Sequence, residues 1–238
     1  MLRPAGAGVK EEIGLKAYHA KDIRNIAIAG HGGRGKTTLA EAMLYLAGAT
    51  ERLGRIADGN TVLDYDGEEK KRRASVSTAV APLEWNGIKM NLVDTPGHSD
   101  FSEDTYRTLT AVDAAIMVID GAKGVESQTR KLFEVCRLRD LPILTFCNKM
   151  DRESRDTFEI IDEIQENLAI DVAPVSWPIG MGRDFIGAYD LLHDRLEIMD
   201  RADRNKVAES IQISGLDDPR LADHVPADLL AKLREELE

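Results

Sequence analysis

Cysteine is scarce in this sequence. Cys136 and Cys147 are the whole complement of 238 positions, and they do not form a CxxC pair. The spacing therefore gives no sign of a cysteine metal site or a redox pair. One cysteine falls in a predicted helix and the other in a predicted buried strand, where a thiol behaves as a small apolar side chain. Buried, unpaired thiols fit a reducing, cytoplasmic setting.

Long apolar segments are also missing. No stretch approaches the roughly 18 uncharged apolar residues that a membrane-spanning helix requires. Residues 1–20 lack the apolar run and the small-residue cleavage site of a secretory signal, and we expect them to form an N-terminal extension. With 43% hydrophobic and 31% charged residues, the composition is that of an ordinary globular protein. We expect a monomer that does not engage a membrane.

An excess of positive charge is absent as well. The formal net charge is -11, whereas binding along a nucleic acid requires a basic face that neutralises phosphates. We therefore expect no direct sequence-specific contact with nucleic acid. Lys70, Lys71, Arg72 and Arg73 form one local basic run. We interpret this run as a solvated loop, with a contact to a ribonucleoprotein as the alternative.

Strand-like apolar runs alternate with helical patterns along most of the chain, which is typical of βαβ units around a parallel sheet. Strands are predicted at residues 26–29, 114–119, 142–147 and 172–177, and helices at 36–46, 126–139 and 156–168. Residues 74–84 and 88–93 are predicted to pair as an antiparallel edge hairpin, because Asn86-Gly87 between two such runs favours a tight turn. The predicted fold is α/β, a doubly wound, mostly parallel sheet flanked by helices.

The alternation ends near residue 180. The segment that follows is charge-rich, with a turn at residues 215–219 and a terminal helix predicted at 227–238. We therefore divide the chain into a main domain at 21–180 and a partial subdomain at 181–238. Ligands of open α/β sheets bind at the carboxyl ends of the strands, so the motifs at those ends carry the functional argument.

The first motif follows the first predicted strand and opens a predicted helix. It matches G-x-x-x-x-G-K-[ST], a loop whose backbone amides surround phosphates, and it marks the fold as a P-loop NTPase. In loops of this type the lysine, here Lys36, bridges the β- and γ-phosphates, and the hydroxyl of the last residue, here Thr37, binds Mg²⁺. The predicted nucleotide contacts here are Gly30, His31, Gly32, Gly33, Arg34, Gly35, Lys36, Thr37 and Thr38.

A second motif points to guanine. Asn148, Lys149, Met150 and Asp151 follow a predicted buried strand. A carboxylate at the last position accepts both N1–H and N2–H of guanine, a donor pair that adenine does not offer. The sequence therefore predicts a guanine nucleotide rather than an adenine nucleotide.

A third motif, D-x-x-G, gains its meaning from position. Asp94, Thr95, Pro96 and Gly97 come directly after a predicted strand and between the other two motifs. There Asp94 would hold Mg²⁺ through water, and the amide of Gly97 would sense the γ-phosphate. His98, the next residue, could position the attacking water, so His98 and Lys36 are the predicted catalytic residues.

Four further stretches carry a family resemblance, at residues 98–109, 123–126, 137–140 and 177–180. On these stretches the chain from residue 94 onward resembles the peptide chain release factor 3 family of translational GTPases. Residues 20–93 resemble instead an elongation-factor-G-like branch, chiefly at 23–27, 40–45, 58–62 and 64–66. The resemblance implies GTP and GDP as ligands, Mg²⁺ as cofactor, the ribosome and decoding release factors as partners, and recycling of those factors after termination. The alternatives are an elongation-factor-G-like fragment and a GTP-binding module with negligible turnover.

The sequence departs from this family pattern at three places. Where the family has Arg-Gly-Ile-Thr/Ser, this chain has Arg72-Arg73-Ala74-Ser75. The implied metal ligands are thus Thr37, Ser75 and Asp94, with Ser77 and Thr78 as rivals to Ser75. Gly33 replaces a common aspartate, which leaves the backbone contacts of the loop intact. No Ser-Ala pair follows Asp151, so we expect the chain to stop inside the insert that precedes that last guanine motif.

Overall fold

The structure is a computed structural model that describes residues 16–98, 100, 102–199 and 209–237. Most of the predicted N-terminal extension lies outside these residues. So do Ser99 and Phe101 of the release-factor-like stretch and Glu238 at the predicted end of the last helix. In the described part of the chain, no helix is both long and apolar enough to cross a membrane.

The first sheet has five strands in the order β2-β3-β1-β4-β5. Their bounds are β1 Ile23–Ala29, β2 Ala79–Trp85, β3 Ile88–Asp94, β4 Ala114–Asp120 and β5 Ile143–Asn148. Strand β1 pairs in parallel with β3 and β4, and β4 pairs in parallel with β5. Strand β2 is antiparallel to β3. The predicted mostly parallel sheet with one antiparallel edge hairpin is confirmed.

Helices cover both faces of this sheet. Helix α1, Lys36–Leu46, packs on one face through Ala40 and Leu44. The opposite face carries α3, Ser102–Leu109, α4, Ser127–Arg137, and α5, Thr157–Leu168, which share an apolar core with both free cysteines against it. In α5 the buried residues Ile160, Ile164 and Leu168 recur every four positions, as expected of one helix face.

A second sheet contains β6 Ser176–Ile179, β7 Gly187–Asp190, β8 Arg195–Ile198 and β9 Glu209–Gln212, all antiparallel. Helices α6, Leu221–His224, and α7, Ala227–Leu237, complete this region. The predicted strand at residues 172–177 is wrong, because β6 starts at Ser176 and pairs with β7. Its buried side chains Trp177 and Ile179 belong to the core of the second sheet. The division of the chain at residue 180 stays a prediction, although the second sheet already includes β6.

The predicted solvated loop at residues 70–73 is also wrong in part. Residues 67–72 form α2, Gly67–Arg72, because Asp66 and Glu69 cap its first turn reciprocally. The carboxylate of Glu69 also accepts hydrogen bonds from the amides of Val76 and Ser77, at 3.0 and 3.1 Å. These amides bond to Glu69, and β2 begins at Ala79 rather than at the predicted residue 74.

Candidate functional site

The three motifs lie at the carboxyl ends of three strands of the first sheet. Gly30 follows β1, Asp94 ends β3 and Lys149 follows β5. Because β1, β3 and β5 run in the same direction, these ends share one edge of the sheet, where ligands of such folds bind. The topology therefore brings the predicted phosphate, switch and base residues to one place.

The glycines of the phosphate loop are required by its backbone. Gly30, Gly33 and Gly35 have φ angles of 142°, 73° and 96°, a region that side chains rarely adopt. A Cβ on Gly30 would collide with the backbone of Val118. Gly35 directly precedes α1, so the free amides of the first helical turn face the loop. Such a helix start is a ready anion site.

The phosphate loop touches the third motif through two glycines. A Cβ on Gly97 would lie 2.8 Å from Cα and 2.9 Å from N of Gly32, and it would collide with Nζ of Lys36. A Cβ on Gly32 would lie 3.4 Å from the carbonyl oxygen of Gly97. Any side chain at Gly97 would therefore fill the space in which Lys36 ends.

Lys36 and Asp94 are buried ionisable groups in this space, 6% and 1% exposed. The ammonium of Lys36 donates to the carbonyl of His31 at 3.1 Å, and burial lowers the pKa of Lys36 to about 8. Burial raises the pKa of Asp94 to about 7. Neither carboxylate oxygen of Asp94 has a hydrogen-bond partner among the described residues. Unpaired buried charge is costly, so the site favours an anion at Lys36 and a cation at Asp94.

Hydroxyl and carboxylate oxygens gather beside Asp94. The hydroxyls of Thr37 and Ser75 lie 2.9 Å apart, and Ser75 donates to Oδ1 of Asp64 at 2.7 Å. Together with Asp94 they form an all-oxygen set, the ligand type that Mg²⁺ prefers. No cluster of three His, Cys, Asp or Glu side chains suited to a metal occurs among the described residues. The set therefore fits an ion that completes its shell with water and phosphate oxygens.

Asp64 was not predicted from the sequence, because its approach to Ser75 depends on the path of the intervening segment. The rivals of Ser75 lie elsewhere. The hydroxyl of Ser77 donates to Glu69 at 3.1 Å, and that of Thr78 is 3.5 Å from the hydroxyl of Thr108. Of the three predicted alternatives, Ser75 is the one the structure brings to Thr37.

The second motif, residues 148–151, is hydrogen-bonded to the phosphate loop. Asn148 donates from Nδ2 to the carbonyl of Arg34 at 2.8 Å. The ammonium of Lys149 donates to the carbonyl of Gly33 and to Oδ2 of Asp120, each at 2.8 Å. Met150 is buried, whereas Asp151 is exposed and its carboxylate is open to a ligand.

The remaining predicted residues have structural partners or are exposed. Thr95 is buried and donates through its hydroxyl to the carbonyl of Ile28 at 2.8 Å, and the carbonyl of Pro96 accepts from Thr105. Thr38 is exposed on α1. The side chain of His98 is 65% exposed, and its Nδ1 lies 3.3 Å from a carboxylate oxygen of Asp100. Its ring is therefore outside the buried cluster of Lys36 and Asp94.

Two further carboxylates anchor the segment between α1 and β2. Glu41 of α1 is fully buried, and its Oε1 accepts the amides of Val62 and Leu63 at 2.6 and 3.0 Å. Glu69 holds the amides of residues 76 and 77. Sequence reasoning missed both residues, because a glutamate on a helix gives no local sign that it will bind a distant backbone.

The chain matches the family model of the elongation factor Tu GTP binding domain over residues 21–233. It is also similar to a crystal structure of a protein from Thermus thermophilus, with 30% sequence identity and a TM-score of 0.72. That similarity covers 91% of this chain and 32% of the other. The chain thus spans about a third of the length of the protein it matches.

Proposed function

The chain belongs to the family of elongation factor Tu GTP binding domains, the guanine-nucleotide-binding domains of translational GTPases, and on that premise we propose that it hydrolyses GTP to GDP and phosphate with Mg²⁺. We further propose that its parent is a translation factor of the release factor 3 type. Such a factor acts on the ribosome in the cytoplasm and releases decoding release factors after termination.

The observation that most supports GTP hydrolysis is the close contact between Gly32 and Gly97. The side chains of Lys36 and Asp94 are buried at the same site. The proposed phosphate loop is in contact with a second loop, and the ammonium of Lys36 ends beside Gly97. The γ-phosphate of GTP would lie against Lys36 and the amide of Gly97. Its loss on hydrolysis would remove contacts to both loops, which is how nucleotide state controls a mobile segment.

Mg²⁺ would be held by Thr37 and Ser75 and, through water, by Asp94, with Asp64 beside Ser75. When bound, the ion neutralises negative charge on the β- and γ-phosphate oxygens. The unpaired carboxylate of Asp94 supports this assignment, since a buried carboxylate without a hydrogen bond is stabilised by a nearby cation.

His98 is the proposed water-positioning residue. Its ring is exposed and follows Gly97 directly in the chain, next to the amide that would contact the γ-phosphate. At the opposite end of the site, Asp151 would accept N1–H and N2–H of guanine. Asn148 and Lys149 would keep the base side aligned with the phosphate loop.

The release-factor assignment rests on the resemblance of residues 98–109 and the later stretches. Residues 20–93 favour the second candidate, an elongation-factor-G-like fragment. A third candidate, a GTP-binding module with negligible turnover, is favoured by the exposed ring of His98 and by Arg73. Arg73 occupies a left-handed conformation, with φ 52°, in place of the family's glycine.

A nucleotide competition experiment tests whether the chain binds guanine nucleotides in preference to adenine nucleotides. Purified chain with a fluorescent GDP analogue should lose the signal to unlabelled GDP or GTP at low concentration and to ADP or ATP only at far higher concentration. Lys36→Ala should abolish binding, because the buried ammonium is the main cation at the phosphates. Equal competition by adenine nucleotides would overturn the assignment.

Single-turnover hydrolysis separates the enzyme from the passive module. GTP cleavage with ribosomes should exceed cleavage without them, and His98→Ala should remove the stimulated part while binding persists. His19→Ala, at another exposed histidine, is the matched control. Stimulation by ribosomes that hold a decoding release factor supports the release-factor type. Stimulation mainly by ribosomes awaiting translocation supports the elongation-factor-G-like candidate.

A further inference from the structure

Arg34 occupies one of the positions of the phosphate loop that the motif G-x-x-x-x-G-K-[ST] leaves unspecified. Its side chain is bound by two carboxylates that are distant in the sequence. Its Nε and Nη2 donate to the two oxygens of Glu126 at 2.5 and 2.7 Å, a bidentate pair. Its Nη1 donates to Oδ2 of Asp120 at 3.3 Å. Glu126 directly precedes α4, and Asp120 ends β4. The side chain thus ties the loop to the far side of the site.

The same carboxylate serves the base motif. Oδ2 of Asp120 accepts from Lys149 at 2.8 Å as well as from Arg34. In the other direction, the backbone carbonyl of Arg34 accepts from Asn148 at 2.8 Å. The side chain and the backbone of one loop residue are therefore both connected to the elements that would bind the guanine base.

These ion pairs are shielded from solvent. The side chains of Arg34, Asp120 and Glu126 are 18%, 8% and 21% exposed. Bidentate, charge-assisted bonds at such burial are stronger and less screened than surface pairs. Glu126 raises the pKa of Arg34. Burial opposes the charge of Asp120, yet the bond from Lys149 holds the pKa of Asp120 below its ordinary value.

The loop needs such a constraint. Gly30, Gly33 and Gly35 give its backbone more conformational freedom than any other residue type would, and that freedom must be lost when phosphates bind. Gly33 has no atom within 4 Å of the position of a Cβ, and the bond that its carbonyl accepts from Lys149 restrains it. Arg34 lies between Gly33 and Gly35, where one anchored side chain restrains both neighbours.

We propose that Arg34 is a positioning residue whose guanidinium, anchored on Glu126 and Asp120, preorganises the phosphate loop for guanine nucleotide and couples it to the base site. The inference rests on the proposed nucleotide binding and deepens it. Three of the five guanidinium N–H donors, one each on Nε, Nη1 and Nη2, are engaged by the two carboxylates, so in this proposal Arg34 acts through the loop backbone.

Whether Glu126→Gln weakens or tightens GDP binding distinguishes an anchoring role of Arg34 from a direct contact between Arg34 and phosphate. In the anchoring arrangement, Glu126→Gln releases the loop and weakens GDP binding. If Arg34 instead served the phosphates directly, Glu126→Gln would free the guanidinium and tighten binding. Arg34→Ala should raise the GDP dissociation constant about tenfold, as loss of a buried charge-assisted pair implies.

The experiment measures fluorescent GDP affinity and dissociation rate for the full chain and its variants. Arg34→Ala and Glu126→Gln should each weaken binding, and the double variant should bind no worse than Arg34→Ala alone. Arg34→Lys should recover part of the loss, because it retains one ion pair without the fork. In GTP turnover, Arg34→Ala should raise KM and leave kcat unchanged.

Arg130→Ala is the matched control. Arg130 lies on the exposed side of α4 and donates to Asn167 at 2.6 Å, so its removal should leave GDP affinity unchanged. Additive losses in the double variant, unchanged affinity in Arg34→Ala, or tighter binding by Glu126→Gln would overturn the inference. If Arg34→Ala does not fold, the near-isosteric Glu126→Gln alone decides the sign. Absence of GDP binding by the unaltered chain would instead refute the proposed function.

Discussion

The hydroxyls of Thr37 and Ser75 lie 2.9 Å apart, which joins the first turn of α1 to the segment after α2. Ser75 donates its single proton to Oδ1 of Asp64 at 2.7 Å. This chain of hydrogen bonds holds the oxygens of three residues close to the unpaired carboxylate of Asp94. A divalent cation that entered here would replace the bonds between hydroxyls with bonds to metal.

Removal of the Ser75 hydroxyl tests this arrangement. Ser75→Ala should raise the Mg²⁺ concentration needed for half-maximal binding of a non-hydrolysable GTP analogue about tenfold, as for loss of one charge-assisted contact. A magnesium titration of the fluorescent analogue measures the change. Ser77→Ala and Thr78→Ala are the controls, because their hydroxyls bond to other residues. A shift in either control with none in Ser75→Ala would move the ligand to that residue.

The buried carboxylate of Asp94 predicts a pH-dependent stability of the nucleotide-free and magnesium-free chain. Its pKa is raised to about 7 in the folded protein, against about 3.9 when unfolded. The folded state therefore keeps a proton that the unfolded state has lost. The resulting stability is fully present below about pH 4 and is lost as pH rises to about 7, on the order of 4 kcal/mol in total.

Urea unfolding of the chain and of Asp94→Asn between pH 4 and 8 measures this contribution. The free energy of unfolding of the unaltered chain should fall relative to Asp94→Asn as pH rises, and the difference should level off above pH 7. Asp104→Asn, at an exposed carboxylate of α3, provides the comparison and should show no such trend. A constant difference between the chain and Asp94→Asn would contradict the prediction.

Arg73 marks a strained position in the segment before Ser75. It ends α2 with φ 52° and ψ 40°, a left-handed conformation that glycine adopts without cost. Arg73→Gly should therefore slow hydrogen exchange at the amides of Val76 and Ser77, which Glu69 holds. The gain is on the order of 1 kcal/mol. Arg72→Gly, one residue earlier and inside the helix, should have the opposite effect. Faster exchange in both variants would remove the strain argument.

Substitution of Asp151 is expected to change the base preference of the chain from guanine to xanthine. Asp151→Asn replaces a double acceptor with a group that both donates and accepts, which matches xanthine rather than guanine. The variant should bind xanthosine diphosphate more tightly than GDP in competition experiments. Asp156→Asn is the control, since asparagine also caps a helix and the side chain of Asp156 accepts the amide of Phe158 at 2.9 Å. An unchanged preference of Asp151→Asn for GDP would show that Asp151 does not bind the base.

Local spacing predicted those parts of the fold and candidate site that depend on local chemistry. The helix at residues 36–46 and the turn at Asn86 and Gly87 are encoded by neighbouring residues, and the structure has both. The glycines of the phosphate loop follow the same logic, because positive φ angles at Gly30, Gly33 and Gly35 are a property of the chain itself. Roles inferred from those motifs for bound nucleotide stay predictions.

Long-range pairing could not be predicted in this way. Residues 172–177 have the apolar pattern of a buried strand, yet nothing local says which sheet such a strand joins. Trp177 packs in the second core, and its Nε1 donates to Glu236 of α7 at 2.8 Å. That contact is 59 residues away, so it becomes available only after the later elements have folded.

The sequence by itself determined the order of the strands of the first sheet, the helices α1, α4 and α5, the glycine loop, and the presence of Asp94 at the end of β3 and of Asp151 shortly after β5. Backbone conformation and periodicity are set by adjacent residues, which is why these features are visible without a structure. Only the tertiary structure decided that Ser75 rather than Ser77 meets Thr37, and that Arg34 is bound by Glu126. Both contacts join residues far apart in the chain, and their geometry depends on how the whole first sheet aligns its carboxyl ends.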